Sequence, residues 1–144
     1  MINKNNHFGK IYISALLGAL GIVLGAFSAH GLEKLVENQI ITLHHLNVFE
    51  KAVKYQMYHS IVLLVLSISN LIFQKNVFQK SYWMLLWGLI LFSGSLYWIA
   101  LQNLIHIAFP KFLFWITPLG GLLMIIGWIF VIIDTHSLKN KHLS

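Results

Sequence analysis

The strongest constraint on the fold of this chain is a set of four long stretches that contain no Lys, Arg, Asp or Glu. They lie between Lys10 and His30, between Lys54 and Lys75, after Lys80, and between Lys111 and Asp134. Each stretch is long enough to cross a bilayer as a helix, which takes about 20 residues. Each is also continuously apolar, whereas the strands of a membrane barrel alternate apolar and polar residues. The sequence therefore predicts an all-α integral membrane four-helix bundle, with spans at about residues 11–30, 55–74, 82–105 and 112–133.

The composition also favours a membrane protein. Only 10% of the 144 residues are charged, against roughly 25% in a soluble domain. The formal net charge of +6 does not indicate nucleic-acid binding, because the ten basic residues are scattered singly between apolar runs. There is no cysteine, which excludes disulfides, thiolate metal sites and thiol nucleophiles.

The first span has a competing interpretation as a cleavable signal peptide, with cleavage before Ala29. Its apolar region is longer than the usual 7–15 residues. Its glycines also keep a helical spacing that a discarded segment would not need. We therefore favour a retained transmembrane helix.

The lysines that flank the spans predict the orientation, because cytoplasmic loops carry an excess of Lys and Arg. With four spans, the two tails and the second loop share one side and carry six lysines. The other side carries four lysines and three of the four acids. We therefore predict a protein of the bacterial inner (plasma) membrane with both termini in the cytoplasm.

The connection between the first two spans contains the pattern of an amphipathic helix. Apolar residues recur at helical spacing from Leu46 to Met57, and Glu50 precedes Lys54 by four residues. We expect residues 46–54 to form an interfacial helix between spans 1 and 2 that turns into, or continues as, the second span. A solvated loop with a helical end is the alternative.

Small residues indicate where the helices approach one another. In the first span, Gly21, Gly25 and Ala29 step by four residues, the pattern that lets membrane helices pack closely. Such a ridge suits contact with a neighbouring helix, a second copy of the chain or a lipid. The predicted helix-packing residues are Gly18, Gly21, Gly25, Ala29, Gly88, Gly94, Pro118, Gly120, Gly121 and Gly127.

Polar side chains of all four spans fall near one end of the predicted bundle. Because polar groups in hydrocarbon need partners, we predict that they form a polar pocket in the outer leaflet. In this interpretation His30 reaches toward the other polar residues, and Gly31 releases the chain from the helix. The predicted pocket residues are His30, Tyr55, Gln56, His59, Ser93, Ser95, Tyr97 and Thr117.

These residues admit a structural and a functional interpretation. In the structural one they link helices by hydrogen bonds; in the functional one His30 and His59 bind a metal or haem, or relay a proton. No HxxxH pair exists and no carboxylate joins them in the spans, so we predict no metal and no cofactor. Hydrolysis by Ser93 or Ser95 lacks an orienting acid, so we predict that the protein is not an enzyme.

Four segments, "GAFSAHGLEK", "AVKYQMYHS", "FSGSLYW" and "TPLGGLLMIIGW", together resemble the bacterial membrane family called domain of unknown function 423. The animal transmembrane protein 256 is similar to that family. The resemblance covers about residues 16–131 and implies a small four-span inner-membrane protein, without catalytic residues to carry over. Ser28 departs from it, because the family more often has glycine there. The positions it carries over are Gly25, Ala26, Phe27, Ala29, His30, Gly31, Tyr55, Gln56, His59, Ser93, Gly94, Ser95, Leu96, Tyr97, Pro118, Gly120, Gly121, Gly127 and Trp128.

Two functions remain open at this point. The first is a non-enzymatic component, either a homo-oligomer or an accessory to a larger membrane complex, whose outer-leaflet pocket binds a lipid, a small amphiphile or a partner helix. The alternative is a small proton or solute transporter or channel that uses His30, His59 and Tyr97. That alternative needs a polar path through the other half of the bundle, where the spans offer little beyond Ser14, Ser67, Ser69 and Asn70.

Overall fold

The structure is a computed structural model that describes residues 4–73, 76–105, 110 and 114–143. Four of its helices are long and apolar enough to cross a membrane, which confirms the predicted all-α four-helix bundle. The elements are α1 (Lys4–Phe27), a π-helical segment (Ser28–Leu32), α2 (Glu33–Glu37), α3 (Leu43–Ile72), α4 (Gln79–Leu101) and α5 (Ile116–Leu143).

The four long helices pack in chain order, α1 on α3, α3 on α4, and α4 on α5. The central helices α3 and α4 bury 39% of their most apolar windows, whereas α1 and α5 bury only 17% of theirs. The two outer helices therefore keep broad apolar faces turned away from the bundle. Faces of this kind suit contact with lipid chains.

Two apolar clusters hold the helices together. The larger one joins α3, α4 and α5 and comprises Leu63, Leu66, Phe78, Tyr82, Leu85, Leu86, Leu89 and Met124. The smaller one joins the π-helical segment to the start of α3 and the end of α4, and comprises Leu32, Ile41, Leu46, Phe49 and Ala100. The smaller cluster fixes the end of the bundle at which α1 ends and α3 begins.

The prediction that Gly31 releases the chain from the first helix was wrong. Helical structure continues through the π-helical segment into α2 and stops only after Glu37. The chain then reverses near Gln39, which has a φ of 59°. Gly31 is needed for its size instead, because a Cβ there would lie 2.7 Å from the ring of Phe27.

The amphipathic segment 46–54 is part of α3, which runs without a break from Leu43 to Ile72. Of the two forms that the sequence left open, the helix therefore continues as the second span. Thr42 and His45 form a reciprocal capping box that begins this helix, with 2.7 Å between Thr42 Oγ1 and His45 Nδ1. Its position at the membrane surface stays a prediction.

The glycines of the first span lie against α3 of the same chain. A Cβ on Gly18 would lie 3.5 Å from Ser60 Oγ, and one on Gly21 would lie 2.6 Å from Met57 Sδ. Since this ridge is already occupied by α3, it is not available as an interface with a second copy. The same ridge ends at Ala29, which is exposed.

The glycines of the third and fourth spans bring two backbones together. A Cβ on Gly120 would lie 2.5 Å from the backbone nitrogen of Phe92, and one on Gly88 would lie 2.9 Å from the Gly120 carbonyl oxygen. Gly127 lies equally close to Leu85, whereas Gly121 makes ordinary contact with the Phe92 ring. Gly94 has no atom within 4 Å of such a Cβ, and Pro118 is exposed.

Candidate functional site

Five of the eight predicted pocket residues form hydrogen bonds between helices. Gln56 Nε2 donates to the Leu17 carbonyl of α1 at 2.8 Å, and Tyr97 Oη of α4 donates to Gln56 Oε1 at 2.8 Å. Gln56 is buried on α3, so one amide connects three helices. Both the amide nitrogen and the amide oxygen of Gln56 therefore have a hydrogen-bond partner inside the bundle.

The predicted serines connect the remaining helices in the same way. Ser93 Oγ of α4 donates to the Ala52 carbonyl of α3 at 3.1 Å. The hydroxyls of Ser95 and Thr117 lie 2.7 Å apart and link α4 to α5. Interhelical hydrogen bonds of this kind contribute about 0.6 kcal/mol each in membranes.

The two predicted histidines lie in different environments. His59 is buried, donates from Nδ1 to the Tyr55 carbonyl at 3.0 Å, and meets the edge of Trp128. His30 is exposed, because the buried positions of the π-helical segment are Ser28 and Leu32. The structure therefore does not bring His30 to the polar residues toward which it was expected to reach.

His59 lines a small, mostly apolar groove of about 250 Å³ between α3, α4 and α5. Its other walls are Tyr55, Phe92, Gly121, Met124, Ile125 and Trp128. Within the described part of the chain, no group of three or more His, Asp or Glu side chains is placed to hold a metal ion. The chemistry of this groove is that of an apolar contact surface.

A larger groove of about 720 Å³ lies between the end of α1 and the first half of α3. We call it the α1–α3 groove. Of the predicted pocket residues only Tyr55 lines it, while Gly25 and Ala29 come from the predicted packing ridge. Its lining residues are Gly25, Ser28, Ala29, Asn47, Glu50, Lys51, Val53, Lys54, Tyr55 and Tyr58.

The sequence builds this groove from two complementary surfaces. On α3, Lys51, Tyr55 and Tyr58 stand four and seven residues apart, a spacing that places them on one face of a helix. Opposite them, Gly25 of α1 and Ala29 of the π-helical segment present almost no side chain. Long side chains opposite small ones leave a volume open at the side of the bundle.

The charged side chains of the α1–α3 groove have no partner among the residues that the structure describes. Glu50, Lys51 and Lys54 are all exposed, and among residues 4–73, 76–105, 110 and 114–143 none of the three forms an ion pair or a hydrogen bond. The groove thus presents two free ammonium groups and one free carboxylate. Glu50 and Lys54 were expected to pair along the helix, and the structure does not pair them.

Ser28 adds a polar group at the inner wall of the groove. Its side chain is only 3% exposed, and its Oγ has no hydrogen-bond partner in the described part of the chain. The other buried serines there, at 14, 60, 67, 81, 93 and 95, are all hydrogen-bonded. Ser28 also begins the π-helical segment, and π-helical turns are frequent at functional sites.

The opposite end of the bundle contains a polar cluster that the sequence did not reveal. Lys10 is buried, and its ammonium group bonds to Gln79 Oε1 and lies 5.4 Å from the centre of the Tyr82 ring. Tyr82 Oη and Ser14 Oγ both donate to the Lys10 carbonyl, at 3.1 and 2.8 Å. Sequence reasoning treated Lys10 as a span flank, because Gln79 lies 69 residues away and no local spacing connects them.

The fold and these contacts define a small four-span membrane protein with a charged groove at one end. Comparison with known families gives a narrower assignment. Residues 24–121 match the family described as "Protein of unknown function (DUF423)", and the chain belongs to this family. The match contains every residue that lines the α1–α3 groove, and it confirms the resemblance drawn from the sequence.

Curated relatives agree with this assignment. The chain is 41% identical to the UPF0382 membrane protein SAB0533 of Staphylococcus aureus (strain bovine RF122 / ET3-1), over 87% of this chain and 93% of that protein. It is 37% identical to a UPF0382 membrane protein of Haemophilus influenzae, over 80% of this chain and 83% of that protein. No solved structure matches. The relatives support a location in a bacterial membrane.

Proposed function

We propose that this protein is a non-enzymatic membrane component that binds the headgroup of a phospholipid in the α1–α3 groove. The observation that carries the proposal is the pair of exposed lysines, Lys51 and Lys54, in a groove that Ser28 also lines. Within the described residues, neither the two ammonium groups nor the buried Ser28 hydroxyl has a partner. Lysine is a common phosphate ligand, acting as a point charge. A serine hydroxyl adds a further donor, whose hydrogen can rotate toward an acceptor.

The depth of the groove fits a headgroup. Eighteen residues separate Lys10 from Ser28 on α1, and eighteen separate Lys54 from Ile72 on α3, which corresponds to about 27 Å at 1.5 Å per residue. The hydrocarbon core of a bilayer is about 30 Å thick. Ser28 and Lys54 therefore lie close to the same border, and Lys51 lies a further helical turn toward water. With both termini in the cytoplasm, this border is that of the outer leaflet.

The neighbouring surface suits the rest of a lipid. Tyr55 and Tyr58 line the groove on the membrane side of Lys54, where tyrosine is favoured at the membrane–water interface. The exposed side chains of Ile61 and Val65 continue the same face of α3 toward the middle of the membrane. Acyl chains lying along this face would extend from a headgroup held at Lys51 and Lys54.

The predicted pocket residues support a structural role beside this site. The side chains of Gln56, Ser93 and Tyr97 form hydrogen bonds to other helices. Their polar atoms are therefore not free to act on a substrate. The transporter alternative requires His30 and Tyr97 to act together, and His30 is exposed while Tyr97 bonds to Gln56. We therefore do not propose transport or catalysis.

Native mass spectrometry of the protein released from nanodiscs tests the proposal. The nanodiscs contain phosphatidylglycerol and phosphatidylethanolamine in equal amounts. We expect the Lys51→Gln/Lys54→Gln variant to retain about thirtyfold less lipid than the unsubstituted protein, because each of the two lysines near a phosphate contributes about 1 kcal/mol.

The matched control is Lys80→Gln/Lys139→Gln, which removes the same charge from two exposed lysines outside the groove. It should keep its lipid. Equal retention by the two double variants would show that Lys51 and Lys54 hold no headgroup, and the proposed function would be wrong.

A further inference from the structure

The α1–α3 groove contains a carboxylate beside its two lysines, and this carboxylate restricts the headgroup. Glu50 lines the groove together with Lys51 and Lys54, and it forms no ion pair with any residue that the structure describes. We propose that the groove selects a headgroup that carries both a phosphate and a protonated amine, the chemistry of an aminophospholipid such as phosphatidylethanolamine. This inference rests on the proposed function.

The positions of the charges support a ligand of mixed charge. Glu50 and Lys54 are four residues apart and therefore neighbours on the helix surface. The phosphate and the amine of such a headgroup are joined by only two carbons, so they can face neighbouring side chains. Lys51 and Lys54 then hold the phosphate while Glu50 accepts hydrogen bonds from the ammonium group.

Asn47 supplies a second acceptor for the amine. It lines the groove three residues before Glu50 and four before Lys51, which places it one helical turn farther from the membrane on the same face. Its amide carbonyl can accept an N–H donor, as the Glu50 carboxylate can. A primary ammonium has three such donors, whereas a quaternary ammonium has none.

The same geometry disfavours the other common headgroups. An anionic headgroup without an amine, such as phosphatidylglycerol, would place its only charge next to the unpaired Glu50 carboxylate, and like charges repel. A choline headgroup would satisfy the lysines, but its quaternary ammonium could donate no hydrogen bond to Glu50 or Asn47. Its attraction to this end of the groove would come from charge alone and from the rings of Tyr55 and Tyr58.

A competition experiment tests the inference. Detergent-solubilised protein is mixed with equal amounts of phosphatidylethanolamine, phosphatidylglycerol and phosphatidylcholine of identical acyl chains, and bound lipids are counted by native mass spectrometry. We expect the unsubstituted protein to bind phosphatidylethanolamine about fivefold better than either competitor, as one charge-assisted contact allows. Glu50→Gln should remove most of this preference while total bound lipid changes little.

Two further variants sharpen the result. Glu37→Gln removes an exposed carboxylate that lies on α2, outside the groove, and should keep the preference. Glu50→Lys should reverse it in favour of phosphatidylglycerol. Because Glu50 is exposed, neither Glu50 variant removes a packed side chain, and an unchanged melting temperature checks that each is folded.

The outcomes separate the inference from the proposed function. Equal binding of phosphatidylglycerol and phosphatidylethanolamine, both lost in Lys51→Gln/Lys54→Gln, would overturn the headgroup inference and leave the groove as a lipid site. A preference for phosphatidylcholine, or a Glu50→Gln variant that still prefers phosphatidylethanolamine, would overturn it as well. Lipid binding that is independent of Lys51 and Lys54 would overturn the proposed function itself.

Discussion

Two pairs of helices in this molecule carry a series of glycines, and they use them differently. Between α4 and α5 the glycines bring backbone against backbone, since a Cβ on Gly120 would lie 2.5 Å from the Phe92 nitrogen. Between α1 and α3 the glycines meet the ends of side chains, as Gly21 meets Met57 Sδ and Gly25 meets Val53 Cγ1. The first pair is in backbone contact at Gly88 and Gly120, and the second opens into the α1–α3 groove.

The difference comes from what stands opposite each glycine. Gly88 and Gly120 face each other, so neither α4 nor α5 places a side chain between the two backbones. On α1, Gly21 and Gly25 face residues of α3 that have side chains, and these side chains set the distance between the helices. From Gly25 to Ala29 the space beside α1 is lined on α3 by the exposed side chains of Lys51 and Lys54, and this space is the groove.

The largest expected effect is that of Gly120→Ala. The added Cβ meets backbone on both sides, at Phe92 and at the Gly88 carbonyl oxygen, and backbone cannot rotate away. We expect the free energy of unfolding to fall by about 3 kcal/mol, the upper end of the range for overpacking. Unfolding in detergent, followed by circular dichroism, measures it.

Gly94→Ala is the control for Gly120→Ala, because no atom lies within 4 Å of its added Cβ. Alanine favours a helix over glycine by about 1 kcal/mol, so this variant should be as stable as the unsubstituted protein or more so. Similar losses in the two variants would mean that α4 and α5 do not make a backbone contact at Gly120.

The second expected effect is that of Gln56→Leu. This substitution removes the bonds to the Leu17 carbonyl and from Tyr97, and it leaves the hydroxyl of the half-buried Tyr97 without its acceptor. We expect a loss of about 2 kcal/mol, because an unsatisfied buried group costs more than the hydrogen bond itself contributes. Thermal unfolding of the purified variant measures the loss.

A double-mutant cycle with Tyr97→Phe completes this test. Removing the hydroxyl as well should restore part of the stability, so the double variant should be more stable than the sum of the two single losses predicts. Additive losses would mean that Gln56 and Tyr97 do not bond to each other. Lipid binding in the groove should stay unchanged in all three variants.

The sequence was sufficient for the architecture, because charge-free runs marked the four helices. It also picked out Gln56 and Tyr97 as polar residues of the spans, and the structure joins them by a hydrogen bond. The identity of each partner was not predictable, because a hydrogen bond such as Tyr97 to Gln56 depends on the rotation of two helices. Hydropathy does not encode that rotation.

The groove and the buried Lys10 were missed for a related reason. Lys51 and Lys54 have the same local pattern as lysines that only flank a span, and Lys10 has that pattern too. What separates them is tertiary: Lys10 has Gln79 and Tyr82 as partners, whereas the described structure gives Lys51 and Lys54 none. The sequence also did not reveal that the helix continues through Ser28–Leu32, because a glycine such as Gly31 commonly follows the last residue of a helix.

The third expected effect is that of Ser28→Ala, which should stabilise the lipid-free protein, whereas Gly120→Ala and Gln56→Leu should destabilise it. The hydroxyl of Ser28 is buried with no hydrogen-bond partner in the part of the chain that the structure describes, and an unsatisfied buried group costs about 1–3 kcal/mol. Its removal should raise the stability of the lipid-free protein by about 1 kcal/mol and lower lipid retention from nanodiscs.

Ser60→Ala is the control, because Ser60 Oγ donates to the Met57 carbonyl and its removal relieves no unsatisfied group. A Ser28→Ala variant that is less stable without lipid would mean that the hydroxyl has a protein partner.

The smallest expected effect is that of Gly21→Ala, and it tests the comparison of the two helix pairs directly. The added Cβ would lie 2.6 Å from Met57 Sδ, nominally as close as the Gly120 contact. Met57 Sδ, however, lies near the end of a flexible side chain that can choose another rotamer. The gain in helix propensity offsets this adjustment, and we expect a net change below about 0.5 kcal/mol with unchanged lipid binding. A loss as large as that of Gly120→Ala would show that α1 and α3 are as rigidly closed as α4 and α5. In that case, side chains that hold α1 and α3 apart would not explain the groove.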